Sequence, residues 1–385
     1  MKKLVLAVLL AASVGGVAWY ALFGGPLLIV FNGATDDWTV VRPTVWLPRP
    51  HTLGCLSMGQ WALWAGERDG TQVIVDTHHR TIIVLPTAVL ERAAHHGCQD
   101  LDESTVRRVA LRAQRLPGTP RLIGDMLYVT YYGDNLIERY RWPSLDFDGV
   151  YELAADRNLG VSDVAVVDGK LWATTTGQYC MARVCPNGRL GESKLFDLSA
   201  PAWPYPSVTT ANKNASSLAQ NTAGTFVVMA GDFDGGYSSL QRFSNGALGP
   251  ELQLPRNGAA AEAILIDAKH LLVRQFHGAH LFVIDLAADA LQDVLRFEGQ
   301  QFVPVPFGAH PANEPALPER GTATFDNMLK TPNGDVLLVD TLGQRLVMVA
   351  LEPAAAGHIK LTLRRQVSLV TRPGNSGPGY ARWVN

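Results

Sequence analysis

Histidines, cysteines and acidic clusters are the side chains in this 385-residue chain whose types and spacings could do chemistry. His277-Gly-Ala-His280 puts two imidazoles at one strand turn, His78-His79 stand at the corresponding turn of an earlier segment, and His310 lies in a Pro-rich stretch. Histidine is the commonest metal ligand, so His277, His280 and His310 could form a transition-metal site. Corresponding turns of a repeated unit need not approach each other, however, and surface histidines are the simpler expectation. His95-His96 beside Cys98 is read the same way. GDFDGG at 231–236 has the acids of a short calcium loop but lacks the later ligands and closing Glu that an EF-hand needs, so a hairpin turn is favoured. G-x-S-x-G, the two glycine-rich phosphate-binding patterns and C-x-x-C-H are all missing, which removes the usual grounds for a serine hydrolase, an ATPase, a dinucleotide-dependent dehydrogenase or a c-type cytochrome.

Four cysteines, Cys55, Cys98, Cys180 and Cys185, are an even set in a chain that looks exported, so disulfides are allowed. Cys180 and Cys185 are close enough to clip a hairpin if a turn or bulge intervenes, which leaves Cys55 with Cys98. Four buried free thiols are the alternative. Neither spacing is C-x-x-C, so redox catalysis has no support.

The elements that must position these groups begin with an apolar N-terminus. After Met1-Lys2-Lys3 no charge occurs before Asp36, and Leu4–Gly25 runs straight into PLLIVF. About twenty apolar residues cross a ~30 Å hydrocarbon layer as a helix, and the basic start favours an N-in orientation with the bulk of the chain translocated. The expectation is a signal-anchor over residues 1–31 and one large domain over 32–385, placed at the inner membrane as a single-pass protein with its mass in the periplasm or otherwise outside the cytoplasm. A cleaved signal peptide is the competing reading. With 33 basic and 35 acidic residues and no basic cluster, nothing points to nucleic acid.

Beyond Thr39 the pattern is short Val/Ile/Leu/Tyr/Phe runs broken by Gly, Asp, Asn and Pro, the signature of strands and turns. A strand-turn-strand unit recurs at Thr71–Pro86, Asp125–Trp142, Lys170–Cys185, Thr225–Phe243, His270–Leu286 and Asp335–Leu351. Spacings of roughly 43 to 65 residues suit propeller blades, in which each small sheet buries its faces against its neighbours. The fold class expected is therefore all-β, a six-bladed β-propeller behind an N-terminal transmembrane helix. Seven blades are the alternative, the extra one assembled from Trp38–Leu47 and Leu361–Val370. One short helix is expected at Thr87–Gly97, with insertions at Leu101–Pro120 and Glu298–Arg320.

The stretch TFDNMLKTPNGDVLLVDTLGQRLVMV at 324–349 resembles a blade of the NHL, gluconolactonase-like and strictosidine-synthase-like propellers, and VSDVAVVDGKLWATTTGQY at 161–179 is similar to the same pattern. In the calcium-dependent lactonases and esterases of that superfamily, Glu, Asn and Asp residues opening the innermost strands hold a metal in the central channel. The resemblance implies Asp163, Glu262, Asp326 and Asn327 as Ca2+ ligands, with Asn221 at the same level, and hydrolysis of an ester or lactone at that metal. The structural alternative is that Asp163 and Asp326 cap turns and Glu262 faces solvent. Because propellers host unrelated functions, the leading expectation is a membrane-tethered binding or assembly module with a protein or small-molecule partner, and the calcium-dependent hydrolase is second. A quinone-dependent dehydrogenase would need repeated tryptophan docking signatures that are missing. Trp142, Trp172 and Trp203 could line a carbohydrate or peptide groove, with filling of the space between blades the simpler expectation, and Trp203 and Tyr205, in a proline-rich loop at 197–206, are the candidate partner-binding anchors.

Overall fold

The computed structural model describes residues 25–32, 38–45, 48–56, 62–99, 103–132, 134–153, 159–178, 192–231, 236–256, 258–276, 278–308, 317, 323–369 and 378–384. Numbered in chain order from β1 (Leu27–Asn32) to β29 (Pro378–Val384), the strands form seven antiparallel sheets. The innermost strands are β29, β4 (Leu63–Arg68), β8 (Pro117–Ile123), β12 (Leu159–Val167), β16 (Ala215–Asn221), β20 (Ala260–Leu265) and β25 (Phe325–Lys330). Each touches the next, and β25 and β4 both touch β29, so the ring is closed. This is a seven-bladed β-propeller; we number the blades one to seven in that same order, starting at β29.

Blade one corrects the expectation of six blades. It joins the C-terminal β29 to three N-terminal strands, β1, β2 (Trp38–Val41) and β3 (His51–Thr52). The chain ends do share a blade, but Leu361–Val370 is not its C-terminal part: residues 361–368 belong to β28 (Ile359–Ser368), the outer strand of blade seven. Leu27–Phe31, grouped above with the apolar N-terminal segment, is the second strand of blade one and is paired on both sides. A continuous apolar run fits a strand buried on both faces as well as a membrane helix. Residues 1–24 lie outside the described residues, and no helix among the described ones is long and apolar enough to cross a membrane.

Period-two alternation explains why such runs are needed. Leu27, Ile29 and Phe31 face blade two, whereas Leu28 and Val30 face blade seven. The same division recurs around the ring, giving seven apolar clusters, one between each pair of neighbouring blades. The expected strand-turn-strand units are the second and third strands of blades two, three, five, six and seven. In blade four Lys170–Gln178 is the second strand alone and the third is Lys194–Asp197, beyond the unit expected at Lys170–Cys185, whose last residues lie outside the described ones. Trp172 packs edge-on against Phe243 between blades four and five, as expected of a space-filling aromatic. Leu101–Pro120 is no insertion, because it carries the outer strand of blade two and the start of β8.

Helix α1 (Thr87–His96) forms where expected and lays Val89, Leu90 and Ala93 on Trp38 and Val40 of blade one. Just past it, Cys98 is disulfide-bonded to Cys55, with Cα atoms 5.9 Å apart. This bond ties the end of blade one to the outer side of blade two. Cys180 and Cys185 lie outside the described residues.

In blade three a buried carboxylate holds the entry to β8. Glu138 accepts the hydroxyls of Tyr131 and Tyr140, each at 2.7 Å, and the backbone N–H of Ala113 at 2.7 Å. Burial, reinforced by the Glu138 carboxylate, pushes both phenol pKa values up, so the hydroxyls remain donors. Glu138→Ala strands two phenols and an amide away from water, and we expect it to cost about 3 kcal/mol or more, read as a lowered midpoint of urea unfolding.

Candidate functional site

Each inner strand is kinked in its first half. Its register with the second strand slips between Trp64 and Gly66, Pro117 and Pro120, Val161 and Asp163, Ala215 and Ser217, Ala260 and Glu262, and Phe325 and Asn327, and again opposite Phe31 and Asn32 in β29. Such bulges re-aim the next side chain. The residues that follow them, in ring order from blade one, are Tyr380, Gly66, Pro120, Asp163, Ser217, Glu262 and Asn327. Three of the four residues expected to bind metal are therefore at equivalent positions on a ring.

What they hold is the next blade. Asp163 Oδ2 accepts the backbone N–H of Leu218 at 3.0 Å, Glu262 Oε2 that of Met328 at 3.0 Å, and Asn327 Oδ1 that of Ala381 at 3.0 Å. Ser217 reverses the polarity and donates its hydroxyl to the Ala261 carbonyl at 3.1 Å. In each bond, a residue just past one bulge reaches the strand beside the next bulge. Gly66 contributes by being small: a Cβ there would stand 2.7 Å from Cβ of Leu122 in blade three.

Arginines neutralise the acids. Arg121 of blade three places Nε and Nη2 each 2.9 Å from the two oxygens of Asp163, whose side chain is fully buried. This is the planar bidentate geometry that suits guanidinium and carboxylate. The Asp163 charge raises the pKa of Arg121 further, keeping the guanidinium charged. Arg274 puts Nε 3.0 Å from Glu262 and Nη1 3.0 Å from the Phe325 carbonyl. Arg382 of blade one approaches the other Glu262 oxygen to 4.0 Å. Blades one and six are not neighbours, so Arg382 and Glu262 meet in the central channel.

This donor set does not fit Ca2+. Asp163 takes hydrogen bonds from Arg121 Nε and Nη2 and from the amides of Val164 and Leu218, which fills its roughly four lone-pair sites. The Asn327 oxygen is bonded to Ala381, and its Nδ2 points at Glu262. Asp326 is the bulge residue itself and accepts the Thr341 hydroxyl, so it serves a different contact from Asn327. Asn221 lies at the far end of β16, paired with Gly224 and bonded to the Ala223 amide, away from the ring. Among the described residues no three His, Cys, Asp or Glu side chains are grouped to hold a metal.

The other candidates separate. Trp203 is 56% exposed, as a partner-binding anchor requires. Tyr205 instead packs edge-on against Tyr151, at 5.8 Å between ring centres. His277, His310 and residues 232–235 of the acidic loop lie outside the described residues. His280 is not a surface histidine. It is 1% exposed, with Nδ1 2.8 Å from Gln275 Oε1 and a buried Nε2 that makes no hydrogen bond.

Arg121, Arg274, Arg382 and Tyr380 escape sequence reasoning. The signal that could have located them is the bulge position, visible only once Pro378–Val384 is recognised as an inner strand rather than a tail.

No family model and no curated protein matches this chain. Solved structures match it in fold. A protein of Bacteroides fragilis NCTC 9343 assigned as a 6-phosphogluconolactonase is 13% identical with a TM-score of 0.59, covering 94% of this chain and 98% of its own. A hypothetical selenium-binding protein of Sulfolobus tokodaii is 12% identical with a TM-score of 0.62, covering 93% of each chain. A Lactobacillus plantarum protein is 10% identical with a TM-score of 0.52, covering 93% of this chain and 99% of its own. At these identities the likeness establishes the propeller and nothing about activity.

Two outcomes are expected. Asp163→Ala leaves the Arg121 guanidinium without its counter-ion and removes the bond to blade five, a loss of about 3–5 kcal/mol in denaturant unfolding. Burial, aided by Arg296, holds the His280 pKa at about 4, below the usual 6.5. The unfolded chain then takes up this proton first, so the contribution is complete above pH 6.5 and is lost as pH falls towards 4. Thermal melts of His280→Gln over that range should show a shallower acid slope than the parent, and an identical slope would remove the assignment.

Proposed function

We propose that this chain is a membrane-tethered, extracytoplasmic propeller that acts as a binding module. The observation that carries the reading is the occupancy of the ring carboxylates: Asp163 and Glu262 are each bound to an arginine and to a backbone amide of the next blade. A metal-dependent hydrolase needs open oxygen ligands and a positioned base, and these two acids offer neither. A rigid disc with variable loops meets every requirement of a binding module, and the exposed Trp203 supplies one anchor.

Chain direction supports an orientation. Leu27 pairs with Val384, so the chain enters β1 beside the end of the innermost strand β29. A tether formed by the apolar N-terminal segment leaves from the face where inner strands end. The opposite face, where they begin and where the bulges lie nearest, then points away from the membrane.

The test is fractionation of cells producing the full-length chain, followed by calcium analysis and assay of the purified protein on lactones and esters. A lactone is the first substrate to offer because of the neighbours assigned as 6-phosphogluconolactonases. We expect the chain in the membrane fraction and protease-accessible from the extracytoplasmic side. We also expect no stoichiometric calcium and no turnover with or without Ca2+. Robust calcium-dependent turnover, abolished in Asp326→Ala, would make the chain a hydrolase instead.

A further inference from the structure

Among the described residues, the three arginines named above are not matched one for one by carboxylates. Arg121 is matched by Asp163, and Arg274 by Glu262. Among the described residues Arg382 has no carboxylate of its own: its closest approach is 4.0 Å, to a Glu262 already bonded to Arg274, Asn327 and Met328. Its Nε is buried and makes no hydrogen bond. The guanidinium carbon lies 4.8 Å from the ring centre of Tyr380 and 5.9 Å from that of Trp64, and the group also hydrogen-bonds the Tyr380 side chain, so of its donors it is Nε that stays idle. A desolvated guanidinium with an idle donor is costly to keep unless something supplies the acceptor.

Arg121 completes the arrangement. Its Nε–Nη2 edge is spent on Asp163, Nη1 takes part in neither of those bonds, and the side chain is 31% exposed. Both guanidinium groups act on the Tyr380 hydroxyl. Burial raises its pKa, while Arg382 and then Arg121 work in the opposite direction. Arg382 and Tyr380 thus stand together in the channel, and the charge of Arg121 is felt at the same hydroxyl.

We propose that the channel binds the oxyanion of a small molecule, a carboxylate or a phosphate, with Arg382 as its principal partner and Arg121 and Tyr380 beside it. A planar fork of N–H donors suits two oxygens of one such group, and the Trp64 and Tyr380 rings offer apolar area to whatever carries the anion. This deepens the reading of the chain as a binding module by naming the chemistry of a ligand.

The test uses the full-length chain in mild detergent, with inorganic phosphate and citrate as probes and sodium chloride at matched ionic strength as the control. We expect at least one probe to raise the melting temperature saturably while chloride does not; which one responds separates a phosphate site from a carboxylate site. In Arg382→Gln the apparent affinity should fall about tenfold or more. Arg382→Lys keeps the charge without the fork and should fall between the two; it carries the test if Arg382→Gln does not fold. No saturable shift with either probe, or unchanged affinity in the variants, overturns the oxyanion site and leaves the binding-module reading intact. Calcium-dependent turnover of a lactone or ester would overturn that reading without touching the site.

Discussion

Through much of this ring, a side chain just past the bulge of one inner strand is bonded to the inner strand of the next blade. The apolar clusters between blades supply most of the buried surface, but they are non-directional and would tolerate sliding of one sheet over another. The bonds from Asp163 to Leu218, Ser217 to Ala261, Glu262 to Met328 and Asn327 to Ala381 fix the height and rotation of each blade relative to its neighbour. Backbone groups exposed by a bulge need partners once the channel wall is buried, and these side chains supply them. Blades two and three use another device, a close backbone approach at Gly66 and the reach of Arg121 into blade four.

That requirement puts acids and amides where a metal site would put them. Position alone does not separate the uses; the partners do. A carboxylate held by a bidentate arginine and two amides has reached its bonding capacity, whereas a metal ligand must keep oxygen lone pairs turned to a common point. The arginines that neutralise the ring also change the character of the channel. With no carboxylate closer than 4.0 Å to Arg382 among the described residues, an anion is the occupant proposed for it.

Much of the architecture is legible in the sequence because it follows from period-two burial and turn chemistry. The Thr71–Pro86, His270–Leu286 and Asp335–Leu351 units are strand pairs as read, and α1 ends at Gly97 as read. The seventh blade is hidden for a physical reason: Leu27–Phe31 is buried on both faces, so its apolar run merges with the hydrophobic stretch before it. Its inner strand comes from the other end of the chain, too distant in sequence for local pattern to join them. Glu262 and Asp163 are legible as inner-strand residues, but their arginines are not. Arg121 lies 42 residues from Asp163, and nothing local to either residue announces the pair.

Blade one closes the ring without a covalent bond between the chain ends, and β1 lies between β29 and β2. Inter-strand hydrogen bonds run perpendicular to the strands. A pull on Gly25 along the strand axis therefore loads both ladders in shear, with all their bonds resisting together, instead of peeling them one after another. If the N-terminal segment is held in a membrane, mechanical load on the domain enters at the strand best placed to bear it.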